Sequence, residues 1–376
     1  MLNSLEIKNY RNLKELTINS LGRVNLIIGK NNTGKSTLLE AVAVYAAKGD
    51  LNLINQLLEE RGETSKTINE TSKNPIQANI KTFSSLFNNR IIGFDVVDAV
   101  SIGCIENTLF GERLSSKNSV CLRFVKYFDE ISKDEQGNAI RRRRFLQDNS
   151  ETTENYKIGF EVKAGDYSDV LSLDDDRLYR RFVMSRPLKN TVQIVKTRNI
   201  DKDTNSGLFD NIALTDKEQN VINALKIIEP LTERIAFIEE TPRKRSAVIK
   251  LSGSQSILPL QSMGDGINRV LTIILALVNS DNSYLLIDEF ENGLHYTVQE
   301  KLWTIIFQLS KELNIQVFAT THSEDCIRGF QSALNNQENL SDGKLIRLDN
   351  ENGFIKQVEF DASELKIATE QDIEIR

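Results

Sequence analysis

Histidine is nearly missing from this chain, with two residues in 376. The three cysteines, Cys104, Cys121 and Cys326, are scattered and odd in number. Together these shortages argue against a metal-ligand cluster and against a disulfide framework, leaving reduced cytosolic thiols as the expectation. Five prolines, and 19 glycines without a period, exclude a fibrous or proline-rich chain. No apolar run approaches the ~20 residues that a bilayer span requires. The first residues alternate polar and apolar instead of forming a signal-peptide block. A net charge of −6 excludes a globally basic nucleic-acid binder but permits a local basic patch. With 40% apolar residues the chain can bury real cores, so a cytoplasmic globular protein of roughly two to three domains is expected, with no membrane contact.

Strand and helix signals alternate at both ends around a less regular centre. Short strands are expected around Leu5 and Ile7 and around Leu13, Leu16 and Ile18, broken between residues 9 and 12. Residues 24–28 form a continuous apolar run ended by Gly29, the mark of a strand buried on both faces. Leu38, Leu39, Val42 and Ala46 recur at helical spacing over 35–47. Residues 50–75 are polar and rich in Asn, Glu, Thr and Ser, which predicts an exposed loop. Strands are expected at 120–128, 156–162 and 191–197, all within an inserted region. After an amphipathic helix at 218–231 and strands at 235–238 and 247–251, the pattern turns α/β. Helices at 266–278 and 298–313 alternate with strands at 284–287 and 316–319, and a hairpin at 344–360 follows. No internal repeat or heptad array is present. The fold class is therefore α/β: one domain interrupted by an insertion.

Gly29-Lys30-Asn31-Asn32-Thr33-Gly34-Lys35-Ser36 is a complete G-x-x-x-x-G-K-S phosphate loop, set between a buried strand and a helix. Its glycines let backbone amides approach a phosphate, and the helix N-terminus adds a favourable dipole. Lys35 supplies charge to the β/γ oxygens, and the Ser36 hydroxyl is placed for Mg²⁺. A second element, Leu285-Leu286-Ile287-Asp288-Glu289, delivers Asp288 to the end of an apolar strand, where a carboxylate can join the Mg²⁺ shell. Glu289, the next residue, suits a base that orients an attacking water. An acidic pair after a strand is on its own more often a helix cap; beside a phosphate loop the balance reverses. Both histidines, His295 and His322, follow predicted strands of this sheet, the edge where open α/β sheets bind ligands. A lone His is usually a core or surface residue, but His322 could hydrogen-bond a γ-phosphate or position the water. Ser262-Met263-Gly264-Asp265-Gly266 opens a helix as an exposed turn, either an ordinary cap or a second anion site used across a subunit interface.

These elements together resemble the ABC-type ATPase heads of the SMC and OLD families, most of all bacterial single-head AAA-family ATPases related to OLD nucleases and to anti-phage defence ATPases. The resemblance rests on residues 6–13, the phosphate loop, 262–266, 288–295 and 320–323, and extends to the ending at 373–376. It implies a P-loop NTPase of ABC type, with 1–48 and 230–376 forming one head and 49–229 a mixed α/β insertion. ATP and Mg²⁺ would be the cofactors. Gly29, Lys30, Asn31, Asn32, Thr33, Gly34, Lys35, Ser36 and Thr37 would form Walker A, with Asp288 as the Walker B aspartate and Glu289 as the catalytic base. Ser262, Gly264 and Gly266 would be the signature, acting on ATP held by a second subunit. His322 would be the switch histidine, and Arg11 would reach the nucleotide phosphates. The Q-loop glutamine has no clear counterpart; Gln77 is a weak candidate.

One departure matters. OLD nucleases continue into a Toprim domain, and this sequence ends too soon after His322 for such a fold. The acidic runs at 174–176 and 201–203 read as solvated loop turns. Any associated nuclease is therefore expected in a separate partner protein. Arg141-Arg142-Arg143-Arg144, followed later by Arg243-Lys244-Arg245, could give a weak, salt-dependent DNA contact. Neighbouring acids and the lack of interleaved aromatics favour a plain charged segment. The function implied is an ATP-hydrolysing switch that forms a homodimer or higher oligomer and controls an effector in DNA processing or anti-phage defence. The alternatives are an assembly scaffold with little turnover, holding a nuclease or toxin, and a transporter subunit. The transporter reading is weakest, because the signature is not Leu-Ser-Gly-Gly-Gln.

Overall fold

The computed structural model describes residues 1–64, 75–108, 111–133, 139–146, 156–174, 192–197, 202–241, 244–335 and 342–370. The chain opens with two short strands, β1 (Leu5–Tyr10) and β2 (Leu13–Ile18), then β3 (Val24–Ile28), α1 (Lys35–Ala46), α2 (Leu51–Glu60) and α3 (Pro75–Ser84). A run of strands follows: β4 (Val100–Thr108), β5 (Gly111–Lys133), β6 (Ala139–Phe145), β7 (Lys157–Ala164), β8 (Tyr167–Ser172) and β9 (Val192–Val195). Helices α4 (Lys202–Asp210) and α5 (Asp216–Leu225) lead to β10 (Thr232–Thr241), β11 (Lys244–Leu251) and β12 (Ile257–Pro259). The last third is α6 (Asp265–Val278), β13 (Tyr284–Ile287), α7 (Tyr296–Glu312), β14 (Gln316–Thr320), α8 (Glu324–Asn335), β15 (Gly343–Glu351), β16 (Phe354–Phe360) and α9 (Ala362–Glu370).

A six-stranded sheet, ordered β16-β15-β3-β14-β13-β9, organises the molecule. It is parallel from β15 to β9 and closes with the antiparallel β15–β16 hairpin. Period-2 alternation divides its side chains between two cores. Val24, Leu26, Ile28, Leu285, Ile287, Val317 and Ala319 join one core with the apolar faces of α5, α6, α7 and α8. Ile27, Leu286 and Phe318 point the other way, into a core shared with α1, β1, β2, β4 and β5. The sheet is thus buried on both faces, as the unbroken apolar runs predict.

An antiparallel sheet ordered β2-β1-β4-β5-β7-β8, with β6 added on β5, covers the second core. The expected insertion, 49–229, is built into both sheets: β4 pairs with the N-terminal β1 and β9 pairs in parallel with β13. The loop expected at 50–75 is corrected over 51–60, which form α2, and residues 65–74 lie outside the described residues. Asp50 caps α2 by accepting from Asn52 N and Leu53 N, and Ile54, Leu57 and Leu58 are buried. Asp203 lies in the first turn of α4, not in a loop. The rest of the acidic run at 175–176, Asp201, Arg243 and the ending at 373–376 lie outside the described residues. Among the described residues no helix is long and apolar enough to cross a membrane.

Candidate active site

Because β3, β14 and β13 are adjacent and parallel, the segments leaving their carboxyl ends meet along one edge. These segments are the phosphate loop, Thr320 to His322, and Asp288 to Glu289. Gly29 starts the loop at φ 140°, where a Cβ would lie 2.3 Å from Leu348 O, so backbone crowding alone demands glycine. Lys35 folds back into the loop and donates from Nζ to Gly29 O and Lys30 O, both at 2.7 Å. Ser36, in the first turn of α1, donates to Asp288 Oδ1 at 3.2 Å. Thr320 Oγ1 donates to the same oxygen at 2.7 Å and accepts from Glu289 N at 2.9 Å. His322 Nε2 lies 3.8 Å from Glu289 Oε1.

A cavity of about 680 Å³ opens here, lined among others by Asn31, Asn32, Gly34, Lys35, Ser36 and Thr37, with Glu289 and His322 on the facing side. Its size and mixed polar lining suit a nucleoside triphosphate. The donor set also fits Mg²⁺. A hydroxyl and a carboxylate are hard oxygen ligands, and this ion takes few protein ligands besides phosphate and water.

Arg11 lines the same cavity, where the resemblance implies a contact with the phosphates. Its Nε lies 2.9 Å from Glu40 Oε2 and its Nη1 donates to Glu63 Oε2 at 2.7 Å, so two carboxylates hold the guanidinium against the wall. Nη2 is buried and makes no hydrogen bond among the described residues. Arg61 and Arg90 extend the ion-pair ladder by bonding Glu40 and Glu63 in turn. Burial pushes the Glu40 carboxyl up, against the pull of Arg11 and Arg61. In the stretch in and just after α3 where a Q-loop would fall, Ser85, Phe87, Asn89 and Arg90 form the wall, and Gln77 does not line it.

The turn at 262–266 lies outside the cavity. Ser262 is exposed and bonds Pro259 O at 2.7 Å. Gly264 takes φ 94°, and a side chain there would meet no atom within 4 Å of its Cβ. A glycine is needed for backbone conformation, since the surroundings are open. His295 is a helix cap. Its Nδ1 accepts from Thr297 N at 3.4 Å at the start of α7, which removes it from the site. In the basic run, Arg143 is committed to Asp129 at 3.9 Å and to Val170 O at 2.9 Å, and Arg144 lies over the Phe128 ring.

Three supporting residues escape sequence reasoning. Thr320 locks the Asp288 carboxylate. Glu291 accepts from Thr321 Oγ1 and from His322 N, both at 2.7 Å, and so fixes the histidine segment. Arg269 is buried behind the turn that follows β13. Its signal was a single cation inside the apolar face of a predicted helix.

Sheet order, phosphate loop and the acidic strand end together define a P-loop ATPase of ABC type. A family model described as "AAA domain, putative AbiEii toxin, Type IV TA system" matches residues 24–325, and the chain belongs to that family. An "ATP/GTP phosphatase" of Helicobacter pylori is 24% identical over 375 residues, with 94% of each chain covered. The "DNA replication and repair protein RecF" of Oenococcus oeni is 25% identical over 274 residues, 63% of this chain and 73% of that protein. Among solved structures, an SMC head bound to the C-winged helix domain of ScpA aligns with a TM-score of 0.51. At 13% identity it covers 96% of this chain and 98% of that one, which is a likeness of fold.

Proposed function

We propose that the protein is an ATP-driven switch in which nucleotide closes two copies face to face and hydrolysis reopens them. One observation carries this reading. Lys35, Ser36, Glu289 and His322 line one cavity, whereas Ser262 and Gly264 stand exposed outside it. A signature turn with no access to its own chain's nucleotide has a use if it serves the nucleotide of a second copy.

Within each site, Lys35 turns from the loop carbonyls to the β/γ oxygens, a charge-assisted contact. Ser36 and Asp288 would hold Mg²⁺. When bound, that ion neutralises charge developing on the phosphate oxygens. Glu289 takes a proton from the attacking water, and His322, 3.8 Å away, orients the carboxylate or the γ-phosphate. Nucleotide hydrolysis also agrees with the name of the Helicobacter pylori relative. The setting we infer is DNA processing or anti-phage defence, with the switch read by a separately encoded effector. The family's toxin–antitoxin description and the ScpA-bound SMC head support a protein partner.

Sedimentation of Glu289→Gln with ATP and with ADP tests the switch. Loss of the base should slow hydrolysis at least ~100-fold and trap an ATP-bound dimer. Adding Ser262→Arg should abolish that dimer while leaving ATP binding per subunit intact. A double variant that still dimerises with ATP refutes the shared site.

A further inference from the structure

Helix α6, which begins inside the signature turn, buries Ile267, Val270, Leu271, Ile273 and Ile274, and among them Arg269 at 1% exposure. Burying a cation is expensive unless its hydrogen-bonding capacity is used. Here Nη1 donates to Lys196 O at 2.7 Å, and Nη2 donates to Asp288 O at 2.8 Å and to Glu289 O at 2.9 Å. Burial lowers the pKa of the guanidinium despite the nearby Asp288, Glu291 and Glu289 charges. Holding three carbonyls from two segments requires the planar fork of arginine, which lysine lacks.

The two consecutive carbonyls carry the argument. Glu289 has φ 47°, left-handed for a residue with a side chain, a conformation costing of order 1 kcal/mol or more. In an extended segment successive carbonyls point to opposite sides. At 288 and 289 both accept from one nitrogen, so the Nη2 contact selects the left-handed turn over an extended one. Thr320 holds the Glu289 amide from the other side. With its backbone gripped at N and O, Glu289 presents its side chain to the nucleotide cavity.

We infer that Arg269 is a positioning residue for hydrolysis: it holds the Asp288–Glu289 turn in the conformation that aims Glu289 at the nucleotide, and it ties that turn to the helix of the signature. This rests on the reading of Glu289 as the base. The signature turn and the base then share one rigid element, so displacement of the turn on closure moves the carboxylate as well.

ATP turnover and ATP binding of Arg269→Lys, Glu289→Gln and the double variant test it. Arg269→Lys should bind ATP with Mg²⁺ within about threefold of wild type yet turn over about tenfold more slowly. In the Glu289→Gln background the same change should cost less than about threefold, because the group it positions is gone. Wild-type turnover by Arg269→Lys beside an inactive Glu289→Gln overturns the positioning role alone, as does an equal loss in both backgrounds. Wild-type turnover by Glu289→Gln overturns the base reading and this inference with it. Circular-dichroism melting completes the test: if neither Arg269→Lys nor Arg269→Gln folds, Arg269 serves folding only and the inference fails.

Discussion

Ser36 and Asp288 are 252 positions apart in the chain, yet the Ser36 hydroxyl donates to Asp288 Oδ1 at 3.2 Å. One residue opens the helix after the phosphate loop, and the other ends a strand two places away in the sheet. This pairing is the arrangement that would let a phosphate-binding loop take up a metal–nucleotide complex, as we propose. On that proposal each half alone is incomplete, since Mg²⁺ would take both oxygens together with the phosphates they flank.

Asp288→Asn should therefore raise the Mg²⁺ concentration giving half-maximal hydrolysis about 10- to 100-fold, the range seen when a metal site loses a supporting carboxylate. Phosphate release titrated with Mg²⁺ measures this. An unchanged midpoint would remove Asp288 from the metal shell.

Lys35→Ala removes the ammonium that bonds the loop carbonyls at 2.7 Å and that we propose transfers to the phosphates. Loss of two charge-assisted hydrogen bonds predicts at least a ~100-fold fall in ATP affinity, read by calorimetry. Wild-type affinity would mean that this loop does not hold the nucleotide.

Thr320→Val keeps the shape of the side chain and deletes both the bond to Asp288 Oδ1 and the acceptor for Glu289 N. An unmet amide costs the fold about 1–3 kcal/mol and frees the Asp288–Glu289 turn, so the melting temperature should fall modestly while turnover drops about tenfold or more. Steady-state kinetics beside a melting curve separates this from general unfolding.

Trp303 is fully buried and stacks on Phe290 with ring centroids 3.9 Å apart and planes 11° from parallel. Phe290 directly follows Glu289, so the packing under the catalytic turn depends on this pair. Trp303→Ala should cost about 3–5 kcal/mol in a denaturant melt and reduce hydrolysis as the turn loosens. Full activity in a destabilised variant would uncouple the core from the site.

For DNA, only a weak contact at Arg141, Arg142, Arg143 and Arg144 is proposed. Arg143 is already engaged by Asp129 and Val170 O. The slope of log affinity against log salt should be shallow, and changing all four to Ala should flatten it further. A steep slope that survives the change would put the DNA surface elsewhere.

Much of the site was legible because its chemistry is local. A glycine-bounded loop between an apolar strand and a helix needs only neighbours in sequence to bind phosphate, and the continuous apolar runs at β3, β13 and β14 declare a sheet buried on both faces. Arg11 and Arg269 were harder to read for the same physical reason. A cation's role is set by what surrounds it, and Glu40, Glu63 and the carbonyls of 196, 288 and 289 come from distant segments. Helix α2 is a different case. The polar stretch around it reads as loop, yet Leu51, Ile54, Leu57 and Leu58 recur at helical spacing behind the Asp50 cap, so the helix was legible in the sequence after all.

The sequence by itself determined the phosphate loop, the acidic strand end, the glycine turn at 262–266 and the α/β class, because backbone conformation and side-chain periodicity follow from adjacent residues. Only the tertiary structure decided that β9 joins β13, that β4 extends the N-terminal hairpin, and that His322 rather than His295 faces Glu289. Strand order is chosen by burial over the whole sheet, where each strand competes for partners far along the chain. The distance between Ser36 and Asp288 is a consequence of that choice, and no local pattern encodes it.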